Sequence, residues 1–271
     1  MNVVKKAIIP AAGYGTRSLP ITKVIPKEMF PIGVKPAIQF VVEEAIDSGI
    51  KEILIVVSRT KNLIVDYFDH SLELEAFLEK KNKTHLLTKE FVPNIHLYYT
   101  RQPYARGLGD AVHLGKLFVG NEPFAVLLPD DIILGGKKPA LKQLIEEYET
   151  HNHSVIGLNQ VAVEHLHKYG VIKGKELGEQ KYDVIDIIEK PKEKPPSNLA
   201  VIGRYVFTPS IFSYLERSQP KEGEEIQLTN AIKELLASEA CYGKILDGKR
   251  FDIGSSDDYI SLVNTVYQKG L

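Results

Sequence analysis

A glycine-rich segment flanked by cations lies near the start of the chain. It reads Ala11-Ala12-Gly13-Tyr14-Gly15-Thr16-Arg17 and follows a short apolar run. Small residues let a backbone approach a ligand closely and direct its N–H groups toward it. Up to residue 35 the chain carries six basic residues against the single acid Glu28, namely Lys5, Lys6, Arg17, Lys23, Lys27 and Lys35. The segment therefore indicates a site for phosphate groups.

Two common phosphate-binding loops do not fit this segment. The Rossmann fingerprint needs a third glycine and a helix that opens at once, whereas this chain has Ser18 and Pro20. A Walker A loop needs Gly-Lys followed by Ser or Thr, and Gly15-Thr16-Arg17 is not that pattern. A glycine turn that merely ends a strand is the alternative, and the nearby cations favour the phosphate site over it.

Acidic residues follow two other apolar segments. Asp130 and Asp131 closely follow the apolar run 124–128. Asp252 lies in the segment Phe-Asp-Ile-Gly at 251–254. The carboxyl ends of strands in open α/β sheets face the ligand crevice, and carboxylates suit Mg²⁺. From the sequence alone, capping a turn is the commoner role for the adjacent pair, and for Asp252 the two roles are equally open.

Two further short segments carry groups that could bind a ligand. Gly107-Leu108-Gly109 enters a predicted helix shortly after Gln102, which gives a second place of close backbone approach. The Gln102 amide can hydrogen-bond a base, although a surface position is its commoner role. Glu189 and Lys190 end a predicted strand, where a carboxylate could bind sugar hydroxyls and an ammonium could neutralise a phosphate. As an isolated pair they would be an ordinary strand end.

Strands and helices that alternate along the chain must position these residues. Apolar runs without alternation predict strands buried on both faces, and stripes with a 3.6-residue period predict helices. Strand, helix and strand at this spacing form a parallel βαβ unit. The composition becomes β-rich from residue 169 onward. Strands are predicted at 7–9, 53–57, 95–99, 124–128, 154–161, 181–189 and 198–207, and helices at 38–46, 62–89, 141–148 and 228–236.

Bulk properties exclude several classes of protein. The 271 residues are 44% hydrophobic and 25% charged, which suits a soluble chain with an ample core. A net charge of −1 gives no overall field for nucleic acid or an anionic membrane, so neither is an expected partner. The single Cys241 excludes an internal disulfide and a cysteine-based zinc cluster. Residues 1–6 lead directly into the first strand without a signal peptide, so we expect a cytoplasmic protein.

Several motifs together resemble one enzyme family. Gly-x-Gly-Thr-Arg at 13–17 followed by Pro-Lys-Glu-Met at 26–29 resembles the opening of sugar-1-phosphate nucleotidyltransferases. From about Lys6 to its end the chain is similar to bacterial UTP–glucose-1-phosphate uridylyltransferases, including Glu-Lys-Pro at 189–191, Gly-Arg-Tyr at 203–205 and the segment 225–230. We therefore expect an α/β class fold, a three-layer α/β/α Rossmann-like nucleotidyltransferase fold. Its central sheet would be mixed but mostly parallel, with an added β-rich sugar-side portion.

The resemblance implies a role for individual residues. It implies one domain over 1–271, with a nucleotide-binding half to about 150 and a sugar-binding half over about 151–271. The implied nucleotide-binding residues are Ala11, Ala12, Gly13, Gly15, Thr16, Gln102 and Gly107. The implied catalytic residues are Arg17, Lys27 and Lys190, and the sugar-binding residues are Gly170, Glu189 and Gly203. The cofactor is Mg²⁺, held by Asp130 and Asp252.

The implied reaction is Mg²⁺-dependent transfer of UMP from UTP to glucose 1-phosphate by a homodimer or homotetramer, giving UDP-glucose and pyrophosphate. The chain departs from the family at Asp110, where histidine is usual, and at Ser256, where lysine is common. Two rivals follow. The first is the same chemistry with another nucleotide or sugar, such as dTTP or galactose 1-phosphate. The second is a weakly active paralogue that binds nucleotide-sugars as a regulator. A pyridine-nucleotide dehydrogenase is disfavoured by the missing third glycine.

Overall fold

The computed structural model describes residues 3–86, 95–218 and 225–270. Its strands are β1 Lys6–Pro10, β2 Pro31–Ile32, β3 Lys35–Pro36, β4 Glu52–Val57, β5 His96–Arg101, β6 Phe124–Leu127, β7 Asp131–Leu134, β8 Ser154–Gln160, β9 Gly170–Gly178, β10 Lys181–Glu189, β11 Leu199–Phe207, β12 Cys241–Ile245 and β13 Lys249–Asp252. Its α-helices are α1 Ala37–Asp47, α2 Asn62–Phe68, α3 Leu72–Lys80, α4 Leu108–His113, α5 Lys116–Val119, α6 Ala140–His151, α7 Ile211–Arg217, α8 Leu228–Leu235 and α9 Ser256–Lys269. Across these ranges, no helix has both the length and the apolar character needed to cross a membrane.

A single nine-stranded sheet runs through the described chain in the order β5-β4-β1-β6-β11-β8-β12-β10-β9. Strands β4, β5 and β6 run parallel to β1. Strand β11 is antiparallel to β6 and β8 is antiparallel to β11, so β8 and its parallel neighbour β12 return to the direction of β1. Strand β10 reverses the direction again and β9 restores it. Seven of the nine strands therefore share one direction, which confirms the mixed, mostly parallel sheet.

Helices cover both faces of this sheet. In β1, Ala7 and Ile9 pack into one hydrophobic cluster with α1, α6 and α9. Ile8 points the other way, into a cluster with α4, α7 and α8. Because successive side chains of a strand alternate between faces, both faces of β1 are buried over positions 7–9, where the sequence has no polar residue. The three-layer α/β/α arrangement is confirmed.

The helical segment predicted from residue 62 is interrupted. Helix α2 ends at Phe68 and Asp69 takes an extended backbone conformation before α3 begins. Ser71 lies at the N-cap of α3 and makes no side-chain capping hydrogen bond. A short 3₁₀ turn follows at Thr84–Leu86, and the predicted helical residues 87–89 lie outside the described part of the chain.

A small ribbon that the sequence did not predict is central to the site. Strands β7 and β13 pair antiparallel, with Asp131 opposite Asp252. The Ile253 N–H also donates to the Asp130 carbonyl oxygen at 2.9 Å. The ribbon thus brings Asp130 and Asp252, which are more than a hundred residues apart in the sequence, to one place.

Candidate active site

The carboxyl ends of β1, β5 and β6 border a first cavity of about 350 Å³. Strands that run parallel end at the same edge of the sheet, which is where ligands bind in open α/β sheets. The cavity is lined by Pro10, Ala12, Gly13, Tyr14, Gly15, Thr16, Lys27, Glu28, Gln102, Ala105, Gly107, Leu108, Ala111, Leu128, Pro129, Asp130 and Glu225. All the predicted nucleotide-binding residues except Ala11 line this cavity.

The glycine segment forms a tight loop that follows β1 and leads into a 3₁₀ turn at Thr16–Ser18. Gly15 has a φ of 64°, a left-handed conformation that favours glycine, and its carbonyl oxygen accepts from the Thr22 hydroxyl at 2.9 Å. Ala11 is fully buried, and its N–H donates to the Val56 carbonyl oxygen at 2.8 Å. Ala11 therefore continues the sheet beneath the loop and has no free N–H group to offer a ligand.

The second glycine segment is equally constrained. Gly107 has a φ of 101°, and a Cβ atom there would lie 2.7 Å from the Ile226 carbonyl oxygen. Gln102 follows β5, and its backbone N–H donates to the Val57 carbonyl oxygen at 2.9 Å. Its side chain is 5% exposed, and Nε2 donates to Asp110 Oδ2 at 2.7 Å and to the Gly107 carbonyl oxygen at 3.2 Å. The Gln102 amide is thus held in one orientation at the cavity wall.

A second cavity of about 930 Å³ adjoins the first and shares Leu108, Leu128 and Asp130 with it. Every predicted sugar-binding residue lines it, as do Arg17, Lys190 and Asp252. The cavity is lined by these residues and by Asp131, Val161, His165, His167, Lys168, Tyr169, Val201, Tyr205, Gln227, Leu228, Thr229, Arg250, Gly254, Ser255, Asp257 and Asp258. With the exception of Ala11, the predicted site residues therefore line two neighbouring cavities.

Strand register sets the far wall of the second cavity. Gly170 of β9 is the cross-strand partner of Glu189 of β10. Glu189 Oε2 accepts from the Thr229 hydroxyl at 2.7 Å, and Lys190 Nζ lies 3.5 Å from Glu189 Oε1. A Cβ atom at Gly203 would lie 2.6 Å from Leu128 Cβ, so only glycine leaves room for the turn after β6. This wall presents the Glu189 carboxylate and the Lys190 ammonium to a ligand in the cavity.

Two cations and two carboxylates meet near the boundary between the cavities. Lys27 Nζ lies 2.5 Å from Asp130 Oδ2. Arg17 contacts both acids, at 3.1 Å from Asp252 Oδ2 and 3.8 Å from Asp130 Oδ2. The carboxylates of Asp130 and Asp252 therefore face the same guanidinium group.

Ion pairing outweighs burial for both members of the closest pair. Burial acts to raise the pKa of Asp130, but Lys27 and then Arg17 lower it, and the resulting pKa lies below the ordinary value. Burial acts to lower the pKa of Lys27, but Asp130 and Glu28 raise it, and the pKa lies above the ordinary value. Both groups are therefore charged at neutral pH.

The donor set fits a hard divalent cation. Two carboxylates that converge on one cation, here the Arg17 guanidinium, can also face a metal ion, and Mg²⁺ takes one or two carboxylates together with substrate phosphates. Over residues 3–86, 95–218 and 225–270, no group of three or more His, Cys, Asp or Glu side chains could hold a metal. An ion at this position would need oxygen ligands from a substrate as well.

Sequence reasoning missed an anchoring pair behind these acids. Arg250 forms a close ion pair with Asp131, and its Nη1 donates to the Tyr169 hydroxyl at 3.0 Å. Asp131 also accepts from the Gly203 N–H at 2.9 Å, so it joins β7, β11 and β13. Nothing in the dipeptide Lys249-Arg250 distinguishes it from a surface pair; only the unpredicted ribbon makes Arg250 an internal residue.

A second missed pair lies under the first cavity. Lys61 Nζ donates to Glu28 Oε2 at 2.7 Å, and both side chains are almost completely buried. Burial lowers the pKa of Lys61 despite the opposing effect of Glu28. Glu28 adjoins Lys27 and lines the first cavity. The motif Pro-Lys-Glu-Met contains Glu28, but its burial depends on a cation that comes from the loop after β4.

Several known proteins are similar to this chain over most of its length. A Bacillus subtilis (strain 168) protein, provisionally named a UTP–glucose-1-phosphate uridylyltransferase, is 58% identical over 261 residues, covering 96% of each chain. A UTP–glucose-1-phosphate uridylyltransferase of Staphylococcus epidermidis is 48% identical over 263 residues, covering 96% of this chain and 91% of the relative. A solved UDP-glucose pyrophosphorylase complexed with UDP-glucose is 42% identical with a TM-score of 0.88, covering 98% of this chain and all of the other.

The profile of the nucleotidyl transferase family matches residues 6–269, which is nearly the whole chain. The matched region contains the glycine loop, both cavities and the four charged groups where they meet. The chain belongs to the nucleotidyl transferase family.

Proposed function

We propose that this protein transfers UMP from UTP to glucose 1-phosphate and releases pyrophosphate, with UDP-glucose as the product. The observation that carries the proposal is the pair of cavities that share Asp130, with two paired cations at their boundary. A nucleotide and a sugar phosphate bound in neighbouring cavities would have their phosphates at this boundary. Relatives named for this reaction support the choice of substrates.

UTP would occupy the first cavity. Gln102 and the Gly107 backbone would bind the uracil edge, while Ala12, Gly13, Gly15 and Thr16 would surround the phosphates. Ala11 supports this loop from the core and is proposed to shape it rather than to bind. This assigns nucleotide binding mainly to residues up to about 150 and sugar binding mainly to residues 151–271, although one sheet spans both halves.

Glucose 1-phosphate would occupy the second cavity. Glu189 would accept from sugar hydroxyls, and the close approach of Gly170 and Gly203 would leave room for the ring. Lys190 would neutralise the sugar phosphate, and its side chain is 57% exposed, so the ammonium is available to a ligand.

The chemical step needs positioning and charge more than covalent help. A phosphate oxygen of the sugar phosphate attacks the α-phosphorus of UTP in line, and the bond to pyrophosphate breaks on the opposite side. Arg17 would stabilise the departing phosphates and Lys27 the phosphate being transferred. Both cations exchange a carboxylate partner for phosphate oxygens when the substrates bind.

Mg²⁺ is part of the proposal, held by Asp130 and Asp252 together with phosphate oxygens. When bound, it would neutralise charge that builds up on the phosphates during transfer. Arg17 must then move off both carboxylates, and the departing pyrophosphate gives its guanidinium a new partner.

Assembly and location complete the proposal. Leu72, Leu74 and Phe77 of α3 are half or more exposed, which favours a homodimer or homotetramer over a monomer. We also propose a cytoplasmic location, where nucleoside triphosphates are available.

A substrate panel tests the function. Pyrophosphate release would be measured for UTP, dTTP, CTP and ATP, each with glucose 1-phosphate and galactose 1-phosphate. We expect the highest kcat/KM for UTP with glucose 1-phosphate, loss of activity with EDTA and recovery with Mg²⁺. Higher activity with another pair would change the substrate assignment. No release with any pair, together with measurable UDP-glucose binding, would favour a regulatory role.

A further inference from the structure

The orientation of the Gln102 amide is fixed by chemistry as well as by geometry. Its Nε2 atom lies 2.7 Å from Asp110 Oδ2 and 3.2 Å from the Gly107 carbonyl oxygen. Both partners can only accept a hydrogen bond, because a carboxylate and a carbonyl carry no proton to donate. The amide nitrogen must therefore point toward them, and the usual ambiguity between the two ends of a glutamine amide does not arise.

This orientation leaves Oε1 as the atom that Gln102 offers to a ligand. Within the described ranges Oε1 has no hydrogen-bond partner, and Gln102 lines the first cavity. An amide oxygen accepts a hydrogen bond and cannot donate one. The wall of the cavity therefore presents an acceptor at the point where a base edge would lie.

An acceptor at this point distinguishes the two pyrimidine types. Uracil carries a proton on N3 and can donate to Oε1, whereas N3 of cytosine is an acceptor and would face Oε1 with lone pair against lone pair. A glutamine free to rotate could instead turn its NH₂ group toward cytosine. Sites built to bind a particular donor reject analogues that lack it, because the buried polar group is left unpaired.

We propose that Asp110 sets the preference for uracil over cytosine by holding the Gln102 amide with its oxygen toward the base. Asp110 lies in the first turn of α4 and does not line either cavity, so it is a positioning residue that acts through Gln102. This inference rests on the proposed function and gives a role to a residue at which the chain departs from the family. Thymine also carries a proton on N3, so the orientation of the Gln102 amide does not discriminate between UTP and dTTP.

Asp110→Asn is the sharpest test, because the side chain keeps its size and gains a donor. Its amide can accept or donate, so only the longer contact with the Gly107 carbonyl oxygen, at 3.2 Å, still favours the original orientation of Gln102. We expect the ratio of kcat/KM for UTP to that for CTP to fall about tenfold or more, with a rise in the absolute value for CTP. If the lost charge acted equally on both nucleotides, kcat/KM for UTP and for CTP would change by the same factor and their ratio would stay the same.

Asp47→Asn is the matched control, since it removes the same charge at an exposed position at the end of α1. The ratio of kcat/KM for UTP to that for CTP in this variant should equal that of the wild type. An unchanged ratio in Asp110→Asn would overturn the proposal, whatever happens to the absolute rates.

Equilibrium binding separates this inference from the proposed reaction. If the wild type binds UTP better than CTP but turns over neither, the reaction assignment fails and the base preference stands. If Asp110→Asn does not fold, binding of UTP methylated at N3 to the wild type decides the question. Binding at least about tenfold weaker than that of UTP supports the proposed orientation, and equal binding refutes it.

Discussion

At the scale of single residues, the site pairs its cations with acids. Lys27 is held by Asp130, and Arg17 spans Asp130 and Asp252. Lys190 differs from Lys27, whose side chain is 14% exposed, because its partner Glu189 is farther away, at 3.5 Å, and its side chain is more than half exposed. An exposed pair at this distance contributes little stability, so Lys190 can change partner at small cost.

Lys190→Met tests the role of this ammonium. We expect kcat to fall about a hundredfold and KM for glucose 1-phosphate to rise, because the charge proposed to stabilise the attacking phosphate is lost. The affinity for UTP should stay within about twofold, because Lys190 lines only the second cavity. Steady-state rates of pyrophosphate release and calorimetric titration with UTP would measure these quantities.

Lys192→Met provides the matched control two residues away. Lys192 is exposed and lines neither cavity, so its removal should leave both constants unchanged. Equal effects of the two substitutions would show that general surface charge, and not a contact with the sugar phosphate, is responsible.

At the scale of elements, the local segments were predictable and the long-range contacts were not. The uninterrupted apolar runs of β1 and β4 and the stripe of α1 predicted their positions within about a residue, because burial on both faces leaves a periodic pattern. Strands β7 and β13 have four residues each, which is too short for a pattern to stand out from a turn. Their pairing, and with it the place of Arg250, required the three-dimensional structure.

In the candidate site, too, local motifs were predictable and long-range contacts were not. Motif resemblance pointed to the glycines of the first loop and to Gln102, Glu189, Asp130 and Asp252, and all of these line one or both of the two cavities. It could not show that Ala11 has its N–H bonded inside the sheet or that Lys61 is buried against Glu28. These facts depend on which strand lies beside which, and one sequence does not carry that information.

Arg250→Met tests the anchor of the β7–β13 ribbon. Removing Arg250 leaves the Asp131 carboxylate, whose side chain is 6% exposed, without its ionic partner. Breaking one side of a buried ion pair typically costs about 3–5 kcal/mol, so we expect the free energy of unfolding to fall by that amount. Urea denaturation followed by circular dichroism would measure it.

Two comparisons sharpen this prediction. Arg59→Met removes an exposed arginine and should change the free energy of unfolding by less than about 0.5 kcal/mol. Adding Asp131→Asn to Arg250→Met should recover part of the loss, because no unpaired charge then remains. A loss in Arg250→Met no larger than in Arg59→Met would mean that the ribbon is held by other contacts.

At the scale of the whole molecule, one sheet joins the two halves. Strand β8 lies between β11 and β12 near the middle of the order, and β11 pairs with β6 of the first half. The sheet of the described chain therefore has no break between the strands of the first 150 residues and those that follow. We expect the two halves to unfold together.

Cys241 offers a direct probe of this cooperativity. It lies in β12 and is fully buried, and burial, followed by Asp183 and Glu239, raises the pKa of its thiol to about 12. At pH 8 the folded thiol should react with Ellman's reagent only through opening of the sheet, while the unfolded thiol reacts freely. UTP bound in the first half should therefore slow labelling of a residue in the second half.

Stopped-flow labelling with and without saturating UTP would measure this coupling, and labelling in urea gives the unprotected rate. Labelling that is fast in the native protein and insensitive to UTP would show that β12 opens independently of the nucleotide side.

The wall common to the two cavities, formed by Leu108, Leu128 and Asp130, has a consequence for the end of the catalytic cycle. UDP-glucose would reach across this wall and be tethered at both ends. When one end detaches, the other keeps it nearby at high effective concentration, so it rebinds before it escapes. Pyrophosphate has no second anchor and would depart first, so the tethered nucleotide-sugar would be the last product to leave.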